Sequence, residues 1–198
     1  MPKIVNHEER KEKIAHAAWR VIVREGMRGA TVRGIAKEAG MSLGALRHYF
    51  STQDELIDYA MQLVRERAAA RIRAILESEL PPKEKVLAVL LELVPANGDT
   101  RAEMDVWLAY TLSLNAQGRS AARPEAAREI YDGVRRLIGF LDQTGTLRPG
   151  ANKDLAAETL YSIVDGAAMH AYLEPDRLGK ERLAAVFAHY LDLICSGD

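Results

Sequence analysis

Cysteine is almost missing from this 198-residue chain; Cys195 stands alone near the end. A single thiol forms neither an internal disulfide nor a paired-cysteine zinc site, which points to a reducing compartment. Cys195 itself reads as a small apolar residue on a packed helix. Long apolar runs are missing too. Nothing approaches the ~20 residues that span a bilayer, and Met1–Arg10 lacks the apolar stretch of a secretory signal. The expectation is a cytoplasmic protein with no membrane partner. Aromatic residues make up only 6% of the chain, and β-branched runs are scarce. Alanine, leucine, arginine and glutamate dominate, a composition that favours helices over strands.

Catalytic patterns are equally scarce. The five histidines, His7, His16, His48, His170 and His189, are scattered. None has a glutamate three residues before it, so the paired Glu-x-x-His motif of a di-metal bundle is absent. There is no phosphate loop and no nucleophile elbow. No cofactor, metal or catalytic residue is expected, and the chain is read as a non-enzyme. A helical-bundle enzyme and a protein-binding helical scaffold remain as the alternatives to a DNA-binding role.

What the chain does have is an uneven charge. The net charge is −1, yet residues 1–50 carry ten basic and five acidic side chains, leaving −6 to the remainder. A basic head on an acidic body suits a small nucleic-acid module joined to something else.

Apolar periodicity predicts nine helices and no strand, an all-α fold. The expected spans are about 8–25, 32–39, 43–49, a long helix from Thr52 to Pro81, then 83–94, 100–117, 124–143, 153–173 and 180–195. Gly26 is expected to end the first helix and Gly40 to turn the chain at positive φ. Thr31 and Ser42 are the expected caps of the two short helices. Thr52 with Glu55 forms a capping box. The border between a DNA-binding domain, 1–54, and a ligand-binding and dimerisation domain, 55–198, is placed just inside the fourth helix.

Thr31 to Phe50 carries the main signal. Two short helices flank a glycine turn, the geometry of a helix-turn-helix. Ile35, Ala36, Ala39, Met41 and Leu46 are expected inside, with Ala36 and Gly40 small because the helices cross closely. Ser42, Leu43, Gly44, Ala45, Arg47, His48 and Tyr49 are left for DNA. Arg47 has the reach to give guanine O6 and N7 two hydrogen bonds, or to meet a phosphate instead. Leu43 and Ala45 fit a thymine methyl, and Gly44 permits close backbone approach. Thr31, Arg33, Thr52 and Gln53 stand at helix starts, where free N–H groups favour phosphate. Lys3, Lys11 and Lys13 add a looser electrostatic grip.

With those residues in register, positions 8–56 resemble the DNA-binding region of the TetR family of bacterial repressors. The matching features are Gly26, Thr31-Val32-Arg33, Ile35-Ala36, Glu38-Ala39-Gly40, Ser42, Gly44, Leu46, Tyr49-Phe50 and Asp54-Glu55-Leu56. Two positions depart from the common pattern: Arg47 stands where many members carry an aromatic residue, and Gln53 where many carry lysine. Arg47-His48-Tyr49-Phe50, with Asp165-Gly166-Ala167-Ala168 later, is similar to the choline-responsive BetI-type subset. The resemblance implies a nine-helix TetR-like architecture. It implies a homodimer that binds a palindromic double-stranded DNA operator and releases it when a small-molecule effector enters the body.

Two further sets follow for the body. Leu160, Ile163, Ala167 and Ala171 on the eighth helix, with Leu183, Val186, Phe187, Tyr190, Leu191 and Ile194 on the ninth, form apolar faces expected to pair with a second copy as a four-helix bundle. The same faces would also serve as ordinary intramolecular core. Met104, Trp107, Leu108, Tyr110, Thr111, Leu114, Tyr131, Phe140, Tyr161, Met169, His170 and Tyr172 are the expected effector contacts, several being aromatics with a polar tip.

Overall fold

A computed structural model describes residues 7–116 and 123–196. Among them are nine helices: α1 His7–Gly29, α2 Val32–Glu38, α3 Leu43–Arg47, α4 Gln53–Glu77, α5 Pro82–Glu92, α6 Gly98–Ala116, α7 Arg123–Gln143, α8 Lys153–Leu173 and α9 Lys180–Ile194. The described residues contain no strand, only an isolated antiparallel bridge between Leu147 and Cys195. The all-α expectation holds.

Several ends differ from the sequence expectation for local reasons. The first helix is assigned through Gly29, but Gly26 has φ 67 and ψ 178, so the regular α-helix does break there. α3 stops at Arg47 instead of residue 49, because the Leu46 carbonyl accepts from both Tyr49 N and Phe50 N and the chain tightens. α4 ends at Glu77, four residues before Pro81, where the Ser78 hydroxyl donates to the Ile75 carbonyl. Glu55 reaches back to the N–H and hydroxyl of Ser51, one residue before the Thr52 cap that accepts from Glu55 N. α6 opens with a reciprocal pair: Asn97 Oδ1 accepts from Thr100 N, and Thr100 Oγ1 accepts from Asn97 N. That is the logic of a capping box carried by different residues.

The chain divides into two compact units, Met1–Arg67 with Ala102–Gln117, and Ala68–Arg101 with Gly118–Asp198. The border expected at 54/55 falls inside the first unit. The physical reason is that Leu56, Ala60, Met61 and Val64 of α4 share one buried cluster with Ile14, Ala18 and Ile22 of α1 and with Ala102 and Val106 of α6. α2 contributes Ile35 and Ala36 to that cluster, and α3 contributes Leu46.

In the second unit, α8 lies between α7 and α9, and α5 packs on both α7 and α9. α8 buries five alanines, Ala156, Ala157, Ala167, Ala168 and Ala171, around Leu160 and Val164. Small side chains there bring neighbouring helices close. The Tyr190 hydroxyl donates to the Ala156 carbonyl at 2.9 Å, joining α9 to α8. The end of α9 is pinned to the α7–α8 connection: Arg148 N donates to Ile194 O and Ser196 N to Thr146 O. Cys195 is buried there as a packed apolar residue, and burial pushes its thiol pKa up.

Candidate nucleic-acid interface

The two short helices are placed by caps and by very few core residues. Thr31 Oγ1 accepts from Gly34 N at 3.0 Å, and Ser42 Oγ accepts from Ala45 N at 3.1 Å. Each satisfies one of the backbone donors that a helix start leaves open. Between the helices, Met41 N donates to Ala36 O, and Gly40 takes φ +66. A Cβ at Gly40 would meet nothing within 4 Å. Glycine is needed there for its backbone conformation, and the crowding expected from the sequence is absent. Leu46 is fully buried, while Ala39 and Met41 pack partly buried against the cluster.

The outer side of this pair is open. Ser42, Gly44, Arg47 and His48 are exposed, and Leu43, Ala45 and Tyr49 are half-buried. Nothing lies within 4 Å of the space a Cβ would fill at Gly44. Arg47 makes no ion pair within the described residues, so its guanidinium is available to an external acceptor. His48 and Tyr49 meet edge to face, with ring centres 5.9 Å apart. Phe50 turns the other way, into the cluster, 5.1 Å from the Tyr59 ring. Thr31, Arg33 and Thr52 are exposed at the neighbouring helix starts. The side chain of Gln53, and all of Lys3, lie outside the described residues.

One feature that sequence reasoning missed holds this pair in place. Glu38, at the end of α2, receives Arg20 Nε at 2.7 Å and Arg24 Nη1 at 3.1 Å, both from α1. The hydrogen bonds from Arg20 and Arg24 keep its carboxyl below the usual carboxylate range. The residues 18 and 14 positions apart carry no periodic signal. Only the opposite charges at the end of one helix and along another could have pointed to the clamp.

The expected effector contacts are divided between the two units. Met104, Trp107, Leu108, Tyr110 and Thr111 are half-buried in the first, with the side chain of Leu114 outside the described set. Trp107 and Tyr110 pack against the first unit's cluster. The Arg65 guanidinium lies 5.8 Å from the Tyr110 ring centre. The Trp107 indole N–H is buried with no acceptor, and the Thr111 hydroxyl donates to the Trp107 carbonyl. Tyr131, Phe140, Tyr161 and Tyr172 are half-buried in the second unit. Tyr131 meets Tyr161 edge to face at 5.5 Å, and Tyr172 is covered by Arg101 at 5.0 Å. Met169 and His170 are exposed on α8, against expectation, and His170 Nδ1 lies 3.5 Å from Glu174.

The expected dimer face also needs correction. Leu160, Ala167, Ala171, Leu183, Phe187 and Leu191 are buried by the chain itself. They are intramolecular core and offer no surface to a second copy. Ile163, Val186, Tyr190 and Ile194 are half-buried. The apolar side chains that do stand out on α8 and α9 are Leu155, Met169, Leu173 and Leu193.

The comparisons with known proteins agree with this geometry. Residues 14–60 match the family of bacterial regulatory proteins, tetR family, and residues 82–196 match the BetI-type transcriptional repressor, C-terminal, family. The chain belongs to the TetR family. Its helix-turn-helix relatives include the transcriptional regulator PksA of Bacillus subtilis (strain 168), 50% identical over 198 residues, covering 100% of this chain and 96% of that protein. The regulator BetI of Stenotrophomonas maltophilia (strain R551-3) is 31% identical over 196 residues, covering 97% and 96%. Among solved structures, a transcriptional regulator from Rhodococcus sp. Rha1 is 29% identical with a TM-score of 0.70, covering 92% of this chain and 94% of that one. A regulator from Saccharomonospora viridis, solved in complex with choline, shares the fold with a TM-score of 0.78 at 22% identity, covering 96% and 99%. Both the TetR resemblance and its BetI-type refinement are borne out. This TetR-family chain is a helix-turn-helix transcriptional regulator, and its relatives are regulators, not enzymes. Among the described residues, no helix is long and apolar enough to cross a membrane.

Proposed function

We propose that the protein is a cytoplasmic repressor that grips a palindromic operator as a homodimer and lets go when a small molecule binds its body. Residues 1–54 are the reading head and 55–198 the effector-binding and dimerising part. The observation that carries the reading is the open outer side of α3, where Arg47 is exposed without an ion-pair partner beside Ser42, Gly44 and His48. In this reading Arg47 contacts a base edge and Leu43 and Ala45 meet thymine methyls, with Gly44 allowing close approach. Thr31, Arg33, Ser42, His48, Tyr49, Thr52 and Gln53 hold phosphates, which position the head without reading sequence.

Two heads enter successive major grooves only when about 34–36 Å apart. A dimer through α8 and α9 sets that distance. Its face is the exposed line Leu155, Ser162, Gly166, Met169 and Leu173 on α8, at near-heptad spacing, joined by Leu193 of α9. For the effector, Trp107 on α6 is the leading contact. Its buried indole N–H lacks an acceptor, and an effector oxygen would supply one. α4 and α6 each contribute residues to both compact units. An effector that favours one course of these helices shifts the spacing of the heads, and only such differential affinity shifts it.

The test selects binding sites from random duplexes and then measures Arg47→Ala on the selected site and on random DNA. The expected result is a loss of about 1–3 kcal/mol on the selected site, relaxed at one position. An equal loss on both DNAs assigns Arg47 to phosphate. Absence of salt-dependent, sequence-selective binding by the unaltered protein rejects the reading as a whole.

A further inference from the structure

Within the first unit, α1 and α4 line a half-open groove of about 370 Å³. None of the twelve effector contacts expected from the sequence lines it. Its walls are aromatic, from Trp19 on α1 and Tyr59 on α4, with Ala15 and Leu63 between charged rims. Trp19 is only 6% exposed, yet its indole N–H has no acceptor. The Arg67 guanidinium covers the Trp19 ring at 4.6 Å. The Tyr59 hydroxyl donates to the Lys11 carbonyl at 3.4 Å, tying the two helices together beside the groove. Gln62 donates to Glu66 at 2.8 Å on the same wall.

The rim carries both signs, Lys11 and Arg67 against Glu12 and Glu66, with the exposed His16 imidazole beside them on α1. An anion alone would face two carboxylates, and a cation alone would face two basic groups. A zwitterion with an aromatic side chain meets each sign with its opposite and lays its ring on the apolar wall. The volume lies at the small end of ligand pockets. We propose that this groove is a second small-molecule site, taking an aromatic amino acid or a close zwitterionic analogue. The carboxylate accepts from Arg67 and from Lys11 at the rim, while the aromatic ring lies against Trp19 and Tyr59. The ammonium group sits between Glu12 and Glu66. Because the groove is built by α1 and α4 alone, its occupant staples the first helix of the reading head to the long helix that follows the head. This site goes beyond the body effector and does not depend on it.

The test is read without DNA, so its failure leaves the repressor reading standing. The chain has two tryptophans, and a Trp107→Phe variant assigns the two indole N–H signals in a proton–nitrogen spectrum of the full chain. Titration with L-phenylalanine is expected to move the Trp19 signal saturably in the millimolar range or below. Phenethylamine, without the carboxylate, is expected to leave it in place, and 3-phenylpropionate, without the ammonium, to bind more weakly. Arg67→Met is expected to weaken phenylalanine binding by roughly tenfold. An unmoved Trp19 signal, or an equal response to phenethylamine, overturns the proposal. So does 3-phenylpropionate binding as tightly as phenylalanine, or an Arg67→Met protein that folds and binds like the unaltered one. The comparison of the three small molecules on the unaltered chain decides the matter even if that variant does not fold.

Discussion

The reading helix and the body's central helix are held by opposite means. α3 has five residues and one buried side chain, Leu46. α8 has 21 residues and buries seven. Yet each begins with the same chemistry: Ser42 Oγ accepts from Ala45 N at 3.1 Å, and Asn152 Oδ1 accepts from Leu155 N at 3.1 Å. An isolated five-residue helix does not persist in water, so α3 exists because its cap, its turn and one leucine agree. α8 is over-determined by packing. The surface proposed to meet DNA is therefore built on a small local margin, and the helix proposed to frame the dimer is built on a large one.

The largest test removes one side chain from each. Phe187→Ala in the second unit is expected to cost about 3–5 kcal/mol, and Leu46→Ala about 2–5 kcal/mol. Both are fully buried. The difference lies in what is lost. Leu46→Ala should abolish operator binding while amide exchange in α7–α9 stays slow, because only the small pair opens. Phe187→Ala should speed exchange across α5, α7, α8 and α9 together. If Leu46→Ala loosened α8 as well, the two regions would be one cooperative block and the contrast would fail.

Next comes the interface between copies. Leu173→Lys places a charge on a residue that is 66% exposed in the single chain. The single chain should still fold, since the position is exposed, and melting should fall only by what the lost association contributed and so depend on concentration. Dimerisation, read by sedimentation, should weaken sharply, and operator affinity should fall with it. An unchanged dimer would remove the outer line of α8 from the interface. The same reasoning explains why the sequence selected side chains that the single chain buries. Leu160, Leu183 and Phe187 recur at helical spacing, and periodicity reports that a face is buried without saying by what. Here those side chains are buried within the single chain, and the exposed line proposed instead on α8 includes Ser162 and Gly166, which no apolar count selects.

The reading head was legible for the converse reason. Its determinants are local: Thr31, Gly40, Ser42 and Leu46 fall within sixteen positions and each has a distinct physical signature. The groups that remained hidden act over distance. Glu38 finds Arg20 and Arg24 across a turn, and Ala102 and Val106 of α6 join a cluster begun by α1 some eighty residues earlier. Local rules carry no information about either meeting. The aromatics with polar tips were gathered along the chain without a way to learn that they divide between two compact units.

A smaller effect separates the caps. Ser42→Ala and Asn152→Ala each remove one side-chain acceptor and should each cost about 0.5–2 kcal/mol. Asn152→Ala should lower melting and spare DNA binding. Ser42→Ala should weaken operator binding as well, because α3 has nothing else at its start to hold Ala45 N in helical geometry. Equal DNA affinity for the two variants would show that packing of Leu46 alone shapes the reading helix.

The smallest effect is a pH dependence, and it again distinguishes long-range from local. Glu38 links α2 to α1 through Arg20 and Arg24, whereas Glu174 is held by Arg177 three residues away. Both carboxyls titrate below their ordinary value of 4.5, Glu38 through Arg20 first and Glu174 through Arg177 first. A carboxyl lowered on folding stabilises fully above its unfolded value, and that contribution fades as pH falls through the folded one. Both pairs are exposed enough for solvent to screen them. Glu38→Gln should therefore flatten the acid-side loss of order in α1 and α2, followed by amide exchange at neutral pH and below 4.5. Glu174→Gln should leave that region unchanged and alter only the turn after α8. If Glu38→Gln left the acid response of α1 and α2 intact, the clamp would be an incidental surface pair, and the head's orientation would rest on the buried cluster alone.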